Sequence, residues 1–140
     1  MSTFVIDASV AIKWVVEEPG TPEALLLRRH RLLAPDLLVA ECANILWKKV
    51  RRKDLDEDVA MVAARLLANA SVEMEPMRGL LEPATRLAIL LDHPAYDCCY
   101  LALAEARGCG FVTADASLAR KLRAAGFPLS VEVLREIGPV

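Results

Sequence analysis

The sequence predicts an α/β fold, a three-layer α/β/α sandwich with a small, mainly parallel central sheet, on three observations. Short β-branched or aromatic runs such as Thr3-Phe4-Val5-Ile6 and Gly110-Phe111-Val112-Thr113 are separated by amphipathic stretches of helical length. Strands that alternate with helices pair in parallel through right-handed crossovers. No repeat or low-complexity linker interrupts the chain, so residues 1–140 are expected to form one domain, long enough to bury a core without disulfide staples.

Thr3 to Ile6 reads as a buried first strand that stops at Asp7-Ala8-Ser9, where Ser9 is expected to cap a helix over residues 10–16. Pro19-Gly20 ends that helix, and Thr21-Pro22-Glu23 opens a second that runs to about Arg29. Arg31 to Ala34 is a short strand, after which Pro35-Asp36 starts a helix with Leu38, Ala43, Ile45 and Leu46 on its apolar face and Glu41 inside it. Asp54 to Asp58 supply acids for the start of a helix ending near Asn69, and residues 72–77 alternate like a half-buried strand. Leu80 to Leu91 is helical, His93-Pro94 breaks it, and Ala95 to Arg107 forms a helix stopped by Gly108, with Asp97 in its first turn. Gly110 to Thr113 is a strand, Ala116 to Ala125 a helix closed by Gly126, and residues 128–131 a last short strand before a tail or terminal helix.

Hydrophobic residues make up 55% of the chain with few aromatics, which predicts a Leu/Val/Ala core and spare apolar surface for self-association or a partner. Charged residues interrupt every apolar run and no basic-then-apolar leader opens the sequence, so a cytoplasmic protein away from membranes is expected. Cys42, Cys98, Cys99 and Cys109 lack C-x-x-C spacing and read as reduced, buried small hydrophobes. A net charge of −2 does not announce a polyanion binder, but basic residues cluster at Arg28-Arg29-His30-Arg31, at Lys48-Lys49 with Arg51-Arg52-Lys53, and at Arg120-Lys121 with Arg123. Such clusters are either local phosphate contacts or solvated helix faces.

Four acids stand out. Asp7 and Asp115 each follow a strand, at the carboxyl edge where open α/β sheets bind ligands. Glu41 lies among Leu37, Leu38, Ala40, Cys42 and Ala43, and Asp97 among Tyr96, Cys98, Cys99 and Leu101; ionised groups in apolar helical surroundings need partners. Taken singly, each has a structural explanation as a helix cap, a dipole partner or an exposed helix residue. Converged, two carboxylates about 4 Å apart repel by roughly 4 kcal/mol at an effective dielectric of about 20, a conflict that a divalent cation resolves. All-oxygen donors suit Mg²⁺ or Mn²⁺ rather than zinc, and the matching chemistry is phosphodiester hydrolysis by a water that the cation acidifies.

The blocks Val5-Ile6-Asp7-Ala8-Ser9, Glu41-Cys42-Ala43-Asn44-Ile45-Leu46-Trp47, Tyr96-Asp97-Cys98-Cys99-Tyr100-Leu101-Ala102-Leu103-Ala104 and Phe111-Val112-Thr113-Ala114-Asp115 resemble the signature blocks of PIN domains. The likeness is closest to VapC-type toxins and spans Thr3 to about Val131. It implies a PIN-like domain that acts as a metal-dependent endoribonuclease in a toxin–antitoxin pair. Asp7, Glu41, Asp97 and Asp115 would contact the metal directly or through water. Ser9 and Thr113 match small hydroxyl positions beside the acids, where each can orient a carboxylate or a water, although capping explains Ser9 equally well. Asn44, one helical turn after Glu41, shares its face and can steady that carboxylate or a phosphate, with packing as its other reading. His30 and His93 receive no catalytic role, since neither has a spaced ligand partner. RNA is the implied substrate, with Lys48, Lys49, Arg51 and Arg52 expected to flank the pocket. The implied partners are a second copy, forming a homodimer, and a small antitoxin. A non-polar groove among Val15, Val16, Leu25, Leu26, Leu46 and Trp47 is the expected dock for that antitoxin, unless these residues merely fill the core.

Other classes fit less well. A phospho-receiver domain needs an acid pair after the first strand and a phosphorylatable Asp after the third, whereas this chain has a lone Asp7 and then Met77-Arg78-Gly79. A dehalogenase-like phosphatase would carry a second Asp where Ser9 stands, and no G-x-G-x-x-G turn marks a dinucleotide site. Within the PIN resemblance, a housekeeping RNA-processing nuclease and a catalytically silent binding module are the alternatives.

Overall fold

A computed structural model describes residues 1–134 and runs β1 (Thr3–Ile6), α1 (Ala8–Ala11), α2 (Thr21–Leu27), β2 (Arg31–Pro35), α3 (Leu37–Arg51), α4 (Glu57–Ala68), β3 (Glu73–Glu75), α5 (Leu81–Leu91), α6 (Ala95–Arg107), β4 (Gly110–Thr113), α7 (Ala116–Ala124) and β5 (Val131–Val133). Among the described residues the strands form one parallel sheet in the order β3-β2-β1-β4-β5. The chain leaves β1 to build β2 and β3 on one side, then returns to add β4 and β5 on the other. Strand order therefore reverses between β1 and β4, where Val5 pairs with Phe111 and Ile6 with Val112. That reversal opens a crevice beyond the strands' carboxyl ends, the usual ligand position in such sheets.

The core frames this crevice. Val5, Ile6, Phe111 and Val112 are buried in the two central strands, as expected where helices cover both faces of a parallel sheet. Helix α6 is buried over Cys98 to Ala104 without interruption, because it contacts β1, β2 and β4 and is covered by α5. Its first turn, which carries Asp97, emerges at the crevice. Along α3, Leu38, Cys42 and Leu46 form a buried stripe at four-residue spacing. Glu41, Ile45 and Lys48 lie on the neighbouring stripe.

Several boundaries depart from expectation. The first helix is not a single run over residues 10–16 capped by Ser9: it is α1, capped by the Asp7 side chain accepting from Val10 N, followed by a 3-10 turn over Ile12–Trp14. Tertiary contacts override the local signal, since the Ser9 hydroxyl is drawn to Asp7 and Ala114, and Trp14 Nε1 donates to Ala24 O at 2.7 Å. The last strand lies at Val131–Val133 rather than 128–131, in register with Phe111–Thr113; Pro128 has no N–H to give a ladder. Pro35 closes β2 instead of opening α3. Cys42, Cys98 and Cys99 are buried as expected but Cys109 only half so, and all four thiols are free. Among the described residues no helix is long and apolar enough to cross a membrane. Of the tail or terminal helix expected after residue 131, Glu132 and Val133 belong to β5 instead, and residues 135–140 lie outside the described part.

Candidate active site

The reversal of strand order brings the acids to one cavity of about 500 Å³, lined by Asp7, Ser9, Glu41, Asn44, Asp97 and Asp115, among others. Asp7 comes from the end of β1, Glu41 and Asn44 from α3, Asp97 from the first turn of α6, and Asp115 from the start of α7. The structural reading of the strand-end acids holds as well: Asp115 Oδ1 caps α7 by accepting from Leu118 N at 3.1 Å, as Asp7 caps α1.

Asp7 is the most constrained. It is 8% exposed, and its two oxygens accept from different hydroxyls, Oδ1 from Ser9 and Oδ2 from Thr113 at 2.6 Å. Each hydroxyl is oriented in turn by a backbone N–H: Ala114 donates to Ser9 Oγ at 2.9 Å and Asp115 to Thr113 Oγ1 at 3.0 Å. Burial raises the Asp7 pKa to about 6 and Asp97 adds to the rise, while the Ser9 and Thr113 hydrogen bonds oppose it. Glu41, half-buried, is likewise raised by desolvation and by Asp97, against a hydrogen bond from the Tyr100 hydroxyl to Oε1. Asp97 thus opposes the ionisation of both neighbours, the electrostatic situation that favours a cation.

The donor chemistry fits a hard divalent ion. Among the described residues no three His, Cys, Asp or Glu side chains are close enough to form a ready cage. The cavity instead offers a loose set of carboxylate oxygens with room for water, as suits Mg²⁺, which keeps much of its hydration.

The basic residues separate. Lys48 lines the cavity, but Lys49 turns away to Glu18 at 2.9 Å, Arg51 lies over the Trp47 ring at 5.4 Å, and Arg52 faces Asp54 at 3.5 Å. Two residues given no role by the sequence touch the acids. Tyr100, fully buried, holds Glu41; a buried phenol needs a partner, which was the available signal. His93 Nε2 lies 2.6 Å from Asp97 Oδ2, and the signal there was the four-residue spacing to Asp97. Of the proposed groove, Leu46 is 5% exposed and fills a small cluster with Ile12 and Ala63, against which Val15 and Val16 pack, while Leu25 and Trp47 are exposed.

The PIN domain family model matches residues 4–123. Ribonuclease VapC3 of Pyrobaculum aerophilum is 35% identical over 124 residues, covering 86% of this chain and 95% of that protein. Ribonuclease VapC9 of Mycobacterium tuberculosis is 32% identical over 114 residues, 81% of this chain and 87% of its own. Among solved structures, the Pyrobaculum aerophilum protein PAE2754 superposes with a TM-score of 0.71 at 23% identity, covering 97% of this chain and 87% of that one. Mycobacterium tuberculosis VapC20, described as a sarcin-ricin loop cleaving toxin, does so at 0.65 and 17% identity, covering 89% of this chain and 95% of its own. These two structural likenesses speak to the fold.

Proposed function

Because the chain belongs to the PIN-domain family, we propose that it is a VapC-type toxin, an endoribonuclease that hydrolyses RNA with a divalent metal held by Asp7, Glu41, Asp97 and Asp115. The observation that carries this reading is the meeting of those four carboxylates in one open cavity at the strand reversal. When bound, Mg²⁺ or Mn²⁺ would acidify the attacking water and offset charge on the scissile phosphate and leaving oxygen.

The chain's own residues prepare the site. Ser9 and Thr113 fix both oxygens of Asp7, so that carboxylate loses little freedom when a ligand arrives. Tyr100 holds one oxygen of Glu41. Lys48 sits at the rim to meet backbone phosphate, and Asn44 adds an amide on the same helix face. Attack by water breaks the P–O3′ bond and leaves a 5′-phosphate and a 3′-hydroxyl. A homodimer and a small antitoxin complete the proposed assembly; exposed Leu81, Ile89 and Leu90 of α5 and Val62 and Leu66 of α4 supply apolar surface for such contacts.

Incubation with a mixed RNA pool and Mn²⁺ tests the reading. Cleavage abolished by excess EDTA, with 5′-phosphate ends, supports it; activity in EDTA or 2′,3′-cyclic phosphate ends would sink it. Growth arrest on expression, relieved by the neighbouring small reading frame, separates a toxin from a housekeeping nuclease.

A further inference from the structure

Asp97 is held by a residue outside the four acids. It stands in the first turn of α6, yet among the described residues no backbone N–H of that terminus donates to its carboxylate. His93, just before α6, reaches it instead, with Nε2 2.6 Å from Oδ2. The imidazole is set from its other side. Lys121 of α7 places Nζ 3.1 Å from His93 Nδ1 and is itself anchored on Asp92 O at 3.0 Å. An ammonium has only donors, so beside it Nδ1 must accept and the ring proton must lie on Nε2. That tautomer is the one that donates to Asp97. The chain Asp92 O, Lys121, His93, Asp97 thus runs from the α5 C-terminus to the acid cavity, and among the described residues no hydrogen bond reaches Asp97 Oδ1.

We infer that His93 is a positioning residue for the metal-binding carboxylate of Asp97, and that Lys121 selects the tautomer in which it works. The inference rests on the proposed metal site. Asp97 is only partly buried, with its side chain 36% exposed, so without His93 it would sample rotamers that turn away from the cavity. His93 holds Oδ2 and leaves Oδ1 for a ligand. Lys121, counted by sequence with the basic cluster at the surface, is committed to this contact rather than to phosphate.

Two measurements test the assignment, one without metal. In metal-free wild-type protein, nitrogen NMR of His93 should show protonated Nε2 and bare Nδ1; an Nδ1-protonated ring overturns the assignment. In Lys121→Met the tautomers should mix. Mn²⁺ affinity, read by calorimetry without RNA, should fall about 10-fold or more in His93→Leu, the range typical for groups that orient metal ligands. His93→Gln, which keeps an N–H near the Nε2 position, should recover most of that loss, whereas a merely structural role would leave it unrepaired. Lys121→Met should weaken Mn²⁺ less than His93→Leu. Wild-type affinity in His93→Leu, or equal loss in the Leu and Gln variants, overturns the role of His93 while leaving the metal site standing. A wild-type protein that binds no Mn²⁺ overturns the metal site itself, and this role with it.

Discussion

On one side of α3, Glu41, Asn44 and Lys48 border the acid cavity of about 500 Å³; on the other, Leu38, Cys42 and Leu46 border a cavity of about 320 Å³ whose further walls include Trp14, Leu67 and Val72. The two stripes are interleaved in sequence, often one residue apart, yet they meet opposite physics. The apolar side gains stability by burial, and it suppresses chemistry: desolvation pushes the Cys42 thiol up to about 12, with Glu41 and Asp7 adding to the rise. The polar side loses stability. It gathers carboxylates: burial, with Asp97 adding, raises the pKa of Asp7 and of Glu41, and hydroxyls only partly relieve them. One helix therefore anchors the fold with one face and presents the reaction site with the next.

That contrast is most sharply broken at Asp7. Asp7→Asn should reduce RNA cleavage by about 1,000-fold or more, because it removes both a charge and a ligand from the proposed metal site. The same change should leave the metal-free fold intact or slightly more stable, as thermal unfolding would show. On the apolar face the pattern inverts: Leu46→Ala should cost about 2–4 kcal/mol of stability in urea titration, while the Mn²⁺ affinity of the folded protein stays within two-fold.

A pH series sharpens the comparison. The Asp7 pKa is raised from 3.8 to about 6 in the folded chain, so the native state holds that proton more tightly than the unfolded state does. The resulting stabilisation is complete below about pH 4 and is lost as pH rises through about 6, up to roughly 3 kcal/mol at neutral pH. Urea midpoints of metal-free wild type and Asp7→Asn, taken from pH 4 to 7.5, should diverge in favour of the variant as pH rises; parallel curves would contradict it.

Smaller effects follow at the rim. Tyr100→Phe should destabilise by about 1 kcal/mol, since it strips the buried hydrogen bond to Glu41. Between adjacent lysines, Lys48→Ala should reduce the salt dependence of RNA binding by about one phosphate contact with stability unchanged. Lys49→Ala should instead leave RNA binding unchanged and cost about 1–2 kcal/mol, because it strips one of the two lysine partners of the partly buried Glu18. An equal effect of the two on RNA binding would erase the difference between these stripes of α3.

By itself the sequence determined the alternation of strands and helices, the placement of Asp7 and Asp115 beyond strand ends, and the setting of Glu41 and Asp97 among apolar helical neighbours. These are consequences of side-chain period and of neighbours within a few residues, which any reading of hydrophobic pattern detects. The tertiary structure decided the rest. Thr113 reaches Asp7 across 106 residues, Tyr100 reaches Glu41 across 59, and Lys121 reaches His93 across 28. Ser9 is a donor to Asp7 rather than the cap of α1, and Lys49 a partner of Glu18 rather than of phosphate, because a polar side chain takes the best partner in space. Sequence distance does not restrict that choice once the sheet has brought β1 and β4 together.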